Sequence, residues 1–163
     1  MIKTAILTIS STRTAETDFT GDAVFRILQQ GGFDVIAREI VGDDKEKIFV
    51  KLVHFSDVLE ADLVLTAGGT GGGPYDVTPE ATLDTIDRLM PGLSELMRAE
   101  GIKKTKKAAL SRGVSGIRKS TLIINLPGSP NGAGESLDTI IDILPHAVDV
   151  IKGAGHPADK EGS

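Results

Sequence analysis

Apolar residues fall into two kinds of run along this chain, short continuous ones and longer ones with helical spacing. Ala5-Ile6-Leu7-Thr8-Ile9 is short, apolar and followed by polar Ser10-Ser11-Thr12-Arg13, the mark of a buried strand feeding a loop. From Phe19, residues Ala23, Val24, Ile27 and Leu28 keep helical spacing until Gly31-Gly32 stops them. Residues 33–41 read as a second strand. Asp43 then stands where a helix N-cap belongs, with Glu46 three positions on, the capping-box pattern. Ile48, Phe49, Leu52 and Val53 give that helix one apolar face and put His54 late in it. Leu63-Val64-Leu65-Thr66 is a third strand and runs into Ala67-Gly68-Gly69-Thr70-Gly71-Gly72-Gly73-Pro74. Thr78-Pro79-Glu80 reads as a helix start with Thr78 as N-cap, and Leu83, Ile86 and Leu89 face inward until Pro91-Gly92 breaks the pattern. Residues 93–99 predict a short helix, and residues 121–126 a further strand closed by Pro127-Gly128-Ser129-Pro130. Leu137, Ile140, Ile141, Leu144, Val148 and Ile151 hold the period of a last helix that Pro145 should kink or restart.

Strands alternating with helices predict a three-layer α/β/α domain with a mostly parallel sheet. No repeat or linker divides the 163 residues, so residues 1–153 are expected as one domain and 154–163 as a short, polar, loose tail. In such a sheet, ligands bind beyond the carboxyl ends of the strands. The segments 10–13, 68–76 and 127–130 all follow strand ends and should meet on that edge.

Composition narrows the chemistry. With no cysteine, a disulfide scaffold, a cysteine zinc site and a thiol nucleophile are excluded together. A net charge of −5 argues against a nucleic-acid backbone as the main partner. Five Phe, one Tyr and no Trp leave an aliphatic core. No apolar run reaches the ~18–20 residues that cross a bilayer, and residues 5–9 are too short for a signal peptide, so a cytoplasmic protein is expected.

Five of the six residues Gly68 to Gly73 are glycine, directly after a buried strand. The run is either a plain flexible turn or a nest of backbone N–H groups suited to phosphate, and its density and place favour the nest. It ends in no Gly-Lys-Ser/Thr, which excludes a Walker A loop, and Pro74 stands where the third glycine of a dinucleotide fingerprint belongs. Asp76 either holds magnesium against a bound phosphate or caps its own loop through local amides. Asp43 is either a simple N-cap or a second functional carboxylate. Arg13, Arg112 and Arg118 lie near predicted turns, where an arginine can clamp phosphate or remain solvated. The lysines of 103–107 read as a solvated face or flexible stretch that could draw in a polyanion. His54, His146 and His156 show no metal-ligand spacing, and Gly113-Val114-Ser115-Gly116 lacks the second spacer of a nucleophile elbow.

Taken in order, these motifs resemble the molybdopterin-binding (MogA/MoaB-like) domains of molybdenum cofactor biosynthesis. The resemblance rests on Thr66-Ala67-Gly68-Gly69-Thr70-Gly71, on Pro74-Tyr75-Asp76-Val77-Thr78-Pro79-Glu80-Ala81-Thr82, and on Asn125-Leu126-Pro127-Gly128-Ser129-Pro130. Leu110-Ser111-Arg112, Gly116-Ile117-Arg118, residues 9–13, Gly21 and Asp43-Asp44 extend it over nearly the whole chain. It implies a trimer or dimer of trimers that transfers AMP from Mg-ATP to the terminal phosphate of molybdopterin and releases pyrophosphate. It further implies Asp43 and Asp76 as the catalytic, magnesium-handling carboxylates. Gly68, Gly69, Thr70, Gly71 and Gly72, with Ser10 and Arg13, would cradle the nucleotide and pterin phosphates. Ser111, Arg112, Pro127, Gly128, Ser129 and Pro130 would line the pterin side. Three positions depart from the family pattern: Tyr75 stands where Arg is frequent, Ser11 where an acid is frequent, and Gly42 where Pro is common. The family also holds MoaB-type members that bind molybdopterin, or its tungsten-pathway equivalent, without transferring AMP. The intact Asp76-Val77-Thr78-Pro79-Glu80 favours the active enzyme.

Overall fold

The computed structural model describes residues 1–155; His156 and the rest of the expected tail lie outside the described residues. Six strands form one sheet in the order β2-β1-β3-β6-β5-β4. Strands β1 (Lys3–Ile9), β2 (Asp34–Val41), β3 (Leu63–Ala67) and β6 (Thr121–Leu126) are mutually parallel. Strand β5 (Ser115–Arg118) pairs antiparallel with β6, and the edge strand β4 (Arg88–Leu89) pairs antiparallel with β5. The expectation of a mostly parallel α/β sheet is met, and the two strands of the β5–β4 extension are an addition to it. They are too short, and too interrupted by polar residues, for periodicity to reveal.

The central strands are covered on both faces, which explains their unbroken apolar composition. Register sorts their side chains into two cores. Ile6, Leu65 and Ile124 lie in one row across three strands and pack with Val24, Leu28, Leu137 and Leu144. Ala5, Val64 and Ile123 form the next row and pack on the opposite face with Ile48, Leu52 and Phe55. Truncating a fully buried member such as Leu65 would cost about 2–5 kcal/mol. The first core is closed by helices α1 (Phe19–Gln30), α4 (Pro91–Lys104), α5 (Pro130–Ile140) and α6 (Leu144–Ile151), the second by α2 (Lys45–Val53) and α3 (Thr78–Thr85). Among the described residues no helix is long and apolar enough to cross a membrane.

Four local expectations are corrected. The N-cap of α2 is Asp44, whose carboxylate accepts the Lys47 amide at 3.0 Å, and Asp43 is left for another use. Thr78 is the first residue of α3 instead of its cap; Val77 occupies the cap position without a side-chain bond. Leu83 is exposed on the outer side of α3, which stops at Thr85, and Leu89 is exposed on the edge strand β4. Pro91 opens α4 where a break was expected, because proline's missing N–H costs nothing in the first turn, and the helix runs on to Lys104. His54 lies just after α2, opening a π turn (His54–Val58), its ring tilted against Phe55. Pro145 restarts the last helix as expected, in the first turn of α6.

Candidate active site

Because β1, β3 and β6 are parallel, the loops that leave them emerge on one edge. Those loops converge as expected around a cavity of about 410 Å³. Ser10, Arg13, Gly68, Gly69, Gly128 and Ser129 line it, joined by Asp43 from beyond β2. Here the backbone cannot tolerate side chains. Gly68 and Gly69 have φ of +109° and +67°, and a Cβ on Gly68 would stand 2.4 Å from the Ile9 carbonyl oxygen. The Gly68 amide donates to Leu126 O at 3.1 Å, welding the loop to β6. The Thr78 hydroxyl donates to Gly68 O at 2.9 Å, so the residue expected as a helix cap instead anchors the glycine loop to α3. Among the described residues no protein acceptor takes the N–H groups of Gly69, Thr70, Gly71 or Gly72. Unpaired donors in a row are what a bound oxyanion requires.

Two carboxylates adjoin this loop in different ways. Asp43 Oδ2 accepts the Ser11 hydroxyl at 2.8 Å, and Ser11 Oγ in turn accepts the Asp43 amide at 3.0 Å. Ser11 therefore orients Asp43 at the rim of the cavity. Asp76 bends back over its own loop: Oδ2 accepts the Gly73 amide at 2.9 Å, the loop-capping alternative. Among the described residues, each carboxylate keeps one oxygen without a protein partner. Magnesium is commonly bound by one or two carboxylates together with substrate phosphates. Two half-engaged carboxylates beside the glycine loop have the donor chemistry magnesium takes; Asp43 stands on the wall of the cavity and Asp76 lies outside its lining. Among the described residues no group of three or more acidic or histidine ligands forms a metal cage.

Arg112 corrects a further expectation. Its Nε donates to Gly71 O at 2.7 Å, its Nη2 to Asp76 O at 2.8 Å, and both terminal nitrogens reach Glu80 at 2.9 Å. The guanidinium is committed to stapling the glycine loop onto α3, and Arg112 lines neither cavity. The Arg112 hydrogen bonds hold the Glu80 carboxyl below its ordinary range, and Glu80 in return raises the guanidinium. Arg118 is likewise occupied, by Asp57 on the π turn at 2.8 and 3.0 Å. Those bonds depress the Asp57 carboxyl to about 2.

A second cavity of about 400 Å³ lies beside the first, enclosed by α4, α5 and the 3₁₀ turn (Lys106–Leu110). Ser111, Pro127 and Ser129 line it, while Gly128 lines the first cavity. Thr70 and Gly71, expected at the phosphates, open onto this second cavity; Gly72 and Pro130 line neither. The glycine loop is thus the partition: Gly68 and Gly69 face one chamber, Thr70 and Gly71 the other, and Ser129 borders both. Sequence reading missed Met97 and Arg98 on α4 here. Lys104 and Lys107 are exposed, as a solvated face requires, and both also border this cavity. Asn125 joins the same wall, its amide nitrogen donating to Thr66 Oγ1 and Thr82 Oγ1 at 3.0 and 2.9 Å beneath the loop.

Comparison with known proteins identifies the family. A family model described as "Probable molybdopterin binding domain" matches residues 5–146. A molybdopterin adenylyltransferase of Helicobacter pylori strain J99 is 39% identical over 138 residues, spanning 83% of this chain and 78% of its own. The solved structure of the molybdopterin biosynthesis enzyme MoaB from Thermus thermophilus superposes with a TM-score of 0.87 at 47% identity, covering 94% of this chain and 98% of its own. The molybdopterin biosynthesis Mog protein of Mycobacterium ulcerans gives 0.86 at 36% identity, over 93% and 99% of the two chains.

Proposed function

The chain belongs to the molybdopterin-binding domain family, and from that premise we propose that it transfers AMP from ATP to the terminal phosphate of molybdopterin. A phosphate oxygen of molybdopterin attacks the α-phosphorus of ATP, the bond from that phosphorus to the bridging oxygen breaks, and pyrophosphate leaves. The observation that carries this reading is the pair of cavities meeting at one glycine loop and at Ser129. Two phosphorylated reactants must be brought end to end, and two chambers sharing a wall of unpaired amides provide for that.

Bringing two anions together is unfavourable unless charge is neutralised, so the protein needs donors and cations more than a nucleophile of its own. In this reading the amides of residues 69–71 hold phosphate oxygens and Arg13 adds a positive charge from the opposite wall. Asp43, with Asp76 second, would hold a magnesium ion accompanying ATP, which would neutralise phosphate charge. Ser111, Pro127 and Ser129 receive the pterin. Residues 1–153 form the functional domain, which works in the cytoplasm as a trimer or dimer of trimers; exposed Leu83, Leu89 and Leu96 support self-association.

Incubation with Mg-ATP and molybdopterin should release pyrophosphate and form adenylylated molybdopterin. Asp76→Asn, which keeps an acceptor for the Gly73 amide, should fold normally and lose most of that activity. Wild-type activity in Asp76→Asn would remove Asp76 from the mechanism. The second reading, a protein that binds molybdopterin without transferring AMP, is favoured by one observation, the engagement of Asp76 with its own loop. Binding of molybdopterin with no pyrophosphate release from Mg-ATP would establish that reading instead.

A further inference from the structure

We infer that Thr20 is a positioning residue for the phosphate cavity, fixing the Arg13 guanidinium and the Gly128 carbonyl through one hydroxyl. Thr20 is fully buried in the first turn of α1 and lines neither cavity. Its hydroxyl donates to Gly128 O at 2.7 Å and accepts from Arg13 Nη1. A hydroxyl has one hydrogen to give and lone pairs to receive, so both bonds can exist at once. They join the loop after β1 to the loop after β6, the two walls between which a phosphate would sit.

The support beneath Thr20 is rigid. Asp18, the N-cap of α1, is completely buried; it accepts the Thr8 hydroxyl of β1 at 2.8 Å and the Gly21 amide at 2.9 Å. Arg38 of β2 reaches the same carboxylate at 3.4 Å and Asp22 at 2.7 Å. At the other end of Arg13, its amide donates to Ser10 Oγ at 3.1 Å. The arginine is therefore held at its base by Ser10 and at its tip by Thr20, leaving the remaining guanidinium hydrogens aimed by the fold and not by chance. Orienting an arginine in advance removes part of the ordering cost of clamping a phosphate.

The identity of the ligand rests on the adenylyl-transfer reading; the test uses magnesium pyrophosphate, the product, as a binding probe. Calorimetric titration compares wild type with Thr20→Val, Thr20→Ser, Arg13→Ala and the Thr20→Val/Arg13→Ala double variant. Thr20→Val and Arg13→Ala should each bind about tenfold more weakly. The double variant should lose clearly less than the product of the two single losses, because Thr20 acts in large part through Arg13. Thr20→Ser, which keeps the hydroxyl, should stay within about threefold of wild type. Additive losses in the double variant, or unchanged affinity in Thr20→Val, would overturn the inference. A second measurement needs no variant: side-chain ¹⁵N NMR of the wild type should show slowed rotation of the Arg13 guanidinium, and free rotation overturns it as well. Intact coupling with no pyrophosphate release from Mg-ATP and molybdopterin would sink the catalytic reading and leave Thr20's role standing. Wild-type protein that binds no pyrophosphate would end both.

Discussion

Gly68 and Gly72 lie in the same loop, yet a methyl group should have opposite consequences at the two. A Cβ on Gly68 meets a backbone oxygen at 2.4 Å and forces a side chain into a left-handed conformation. Gly68→Ala is expected to cost about 2 kcal/mol or more in urea unfolding. Nothing lies within 4 Å of the corresponding position at Gly72, where alanine should change stability by less than about 0.5 kcal/mol. The adjacent aspartates separate in the same way. Asp44→Ala removes a helix cap and should cost about 1 kcal/mol while sparing adenylyl transfer. Asp43→Asn keeps an acceptor for Ser11, so unfolding should be unchanged and pyrophosphate release strongly reduced. The capping pattern in the sequence pointed to Asp43, one residue early, because backbone geometry and not spacing decides which of two adjacent aspartates caps.

At the scale of elements, the site is a set of loops fastened to helices. The glycine loop has almost no apolar side chains to pack, so its shape depends on hydrogen bonds from Thr78 and Arg112. Arg112 contacts Gly71, Asp76 and Glu80 at once through a planar fork that lysine cannot reproduce. Arg112→Lys is expected to lower the rate of AMP transfer about tenfold or more. Thermal unfolding should move little, since solvent screens a pair exposed on both sides. A large loss of global stability with unchanged rate would show the staple to be structural only. Both arginine and glycines stood out in the sequence, but as ligands; that one holds the other is a tertiary relation between residues about forty positions apart.

For the molecule as a whole, Asp57 and Arg118 tie the π turn on one face of the sheet to strand β5, and Lys119 adds a second cation at 3.2 Å. The Arg118 hydrogen bonds are the main cause that lowers the Asp57 carboxyl from 3.8 to about 2. A carboxyl depressed by folding contributes stability that is present above about pH 4 and lost as pH falls through about 2. Asp57→Asn should therefore unfold more easily than wild type at pH 6, by about 1 kcal/mol after solvent screening. The difference should shrink between pH 4 and pH 2, as followed by urea unfolding at each pH. The order of strands and helices, the aliphatic core and the edge that carries the site were legible along the chain, because hydrophobic period and glycine placement are local properties. Strands β4 and β5 were not, since two to four residues cannot express a period and pair only because β6 offers an edge. Nor could spacing reveal Thr20, whose neighbours Arg13 and Gly128 are seven and 108 positions away. What belongs to the sequence alone is which residues can turn tightly, cap, or carry charge. Which of those groups meet, and which are consumed by one another before any ligand arrives, is settled only when the parallel strands bring distant loops to one edge and satisfy their buried donors there.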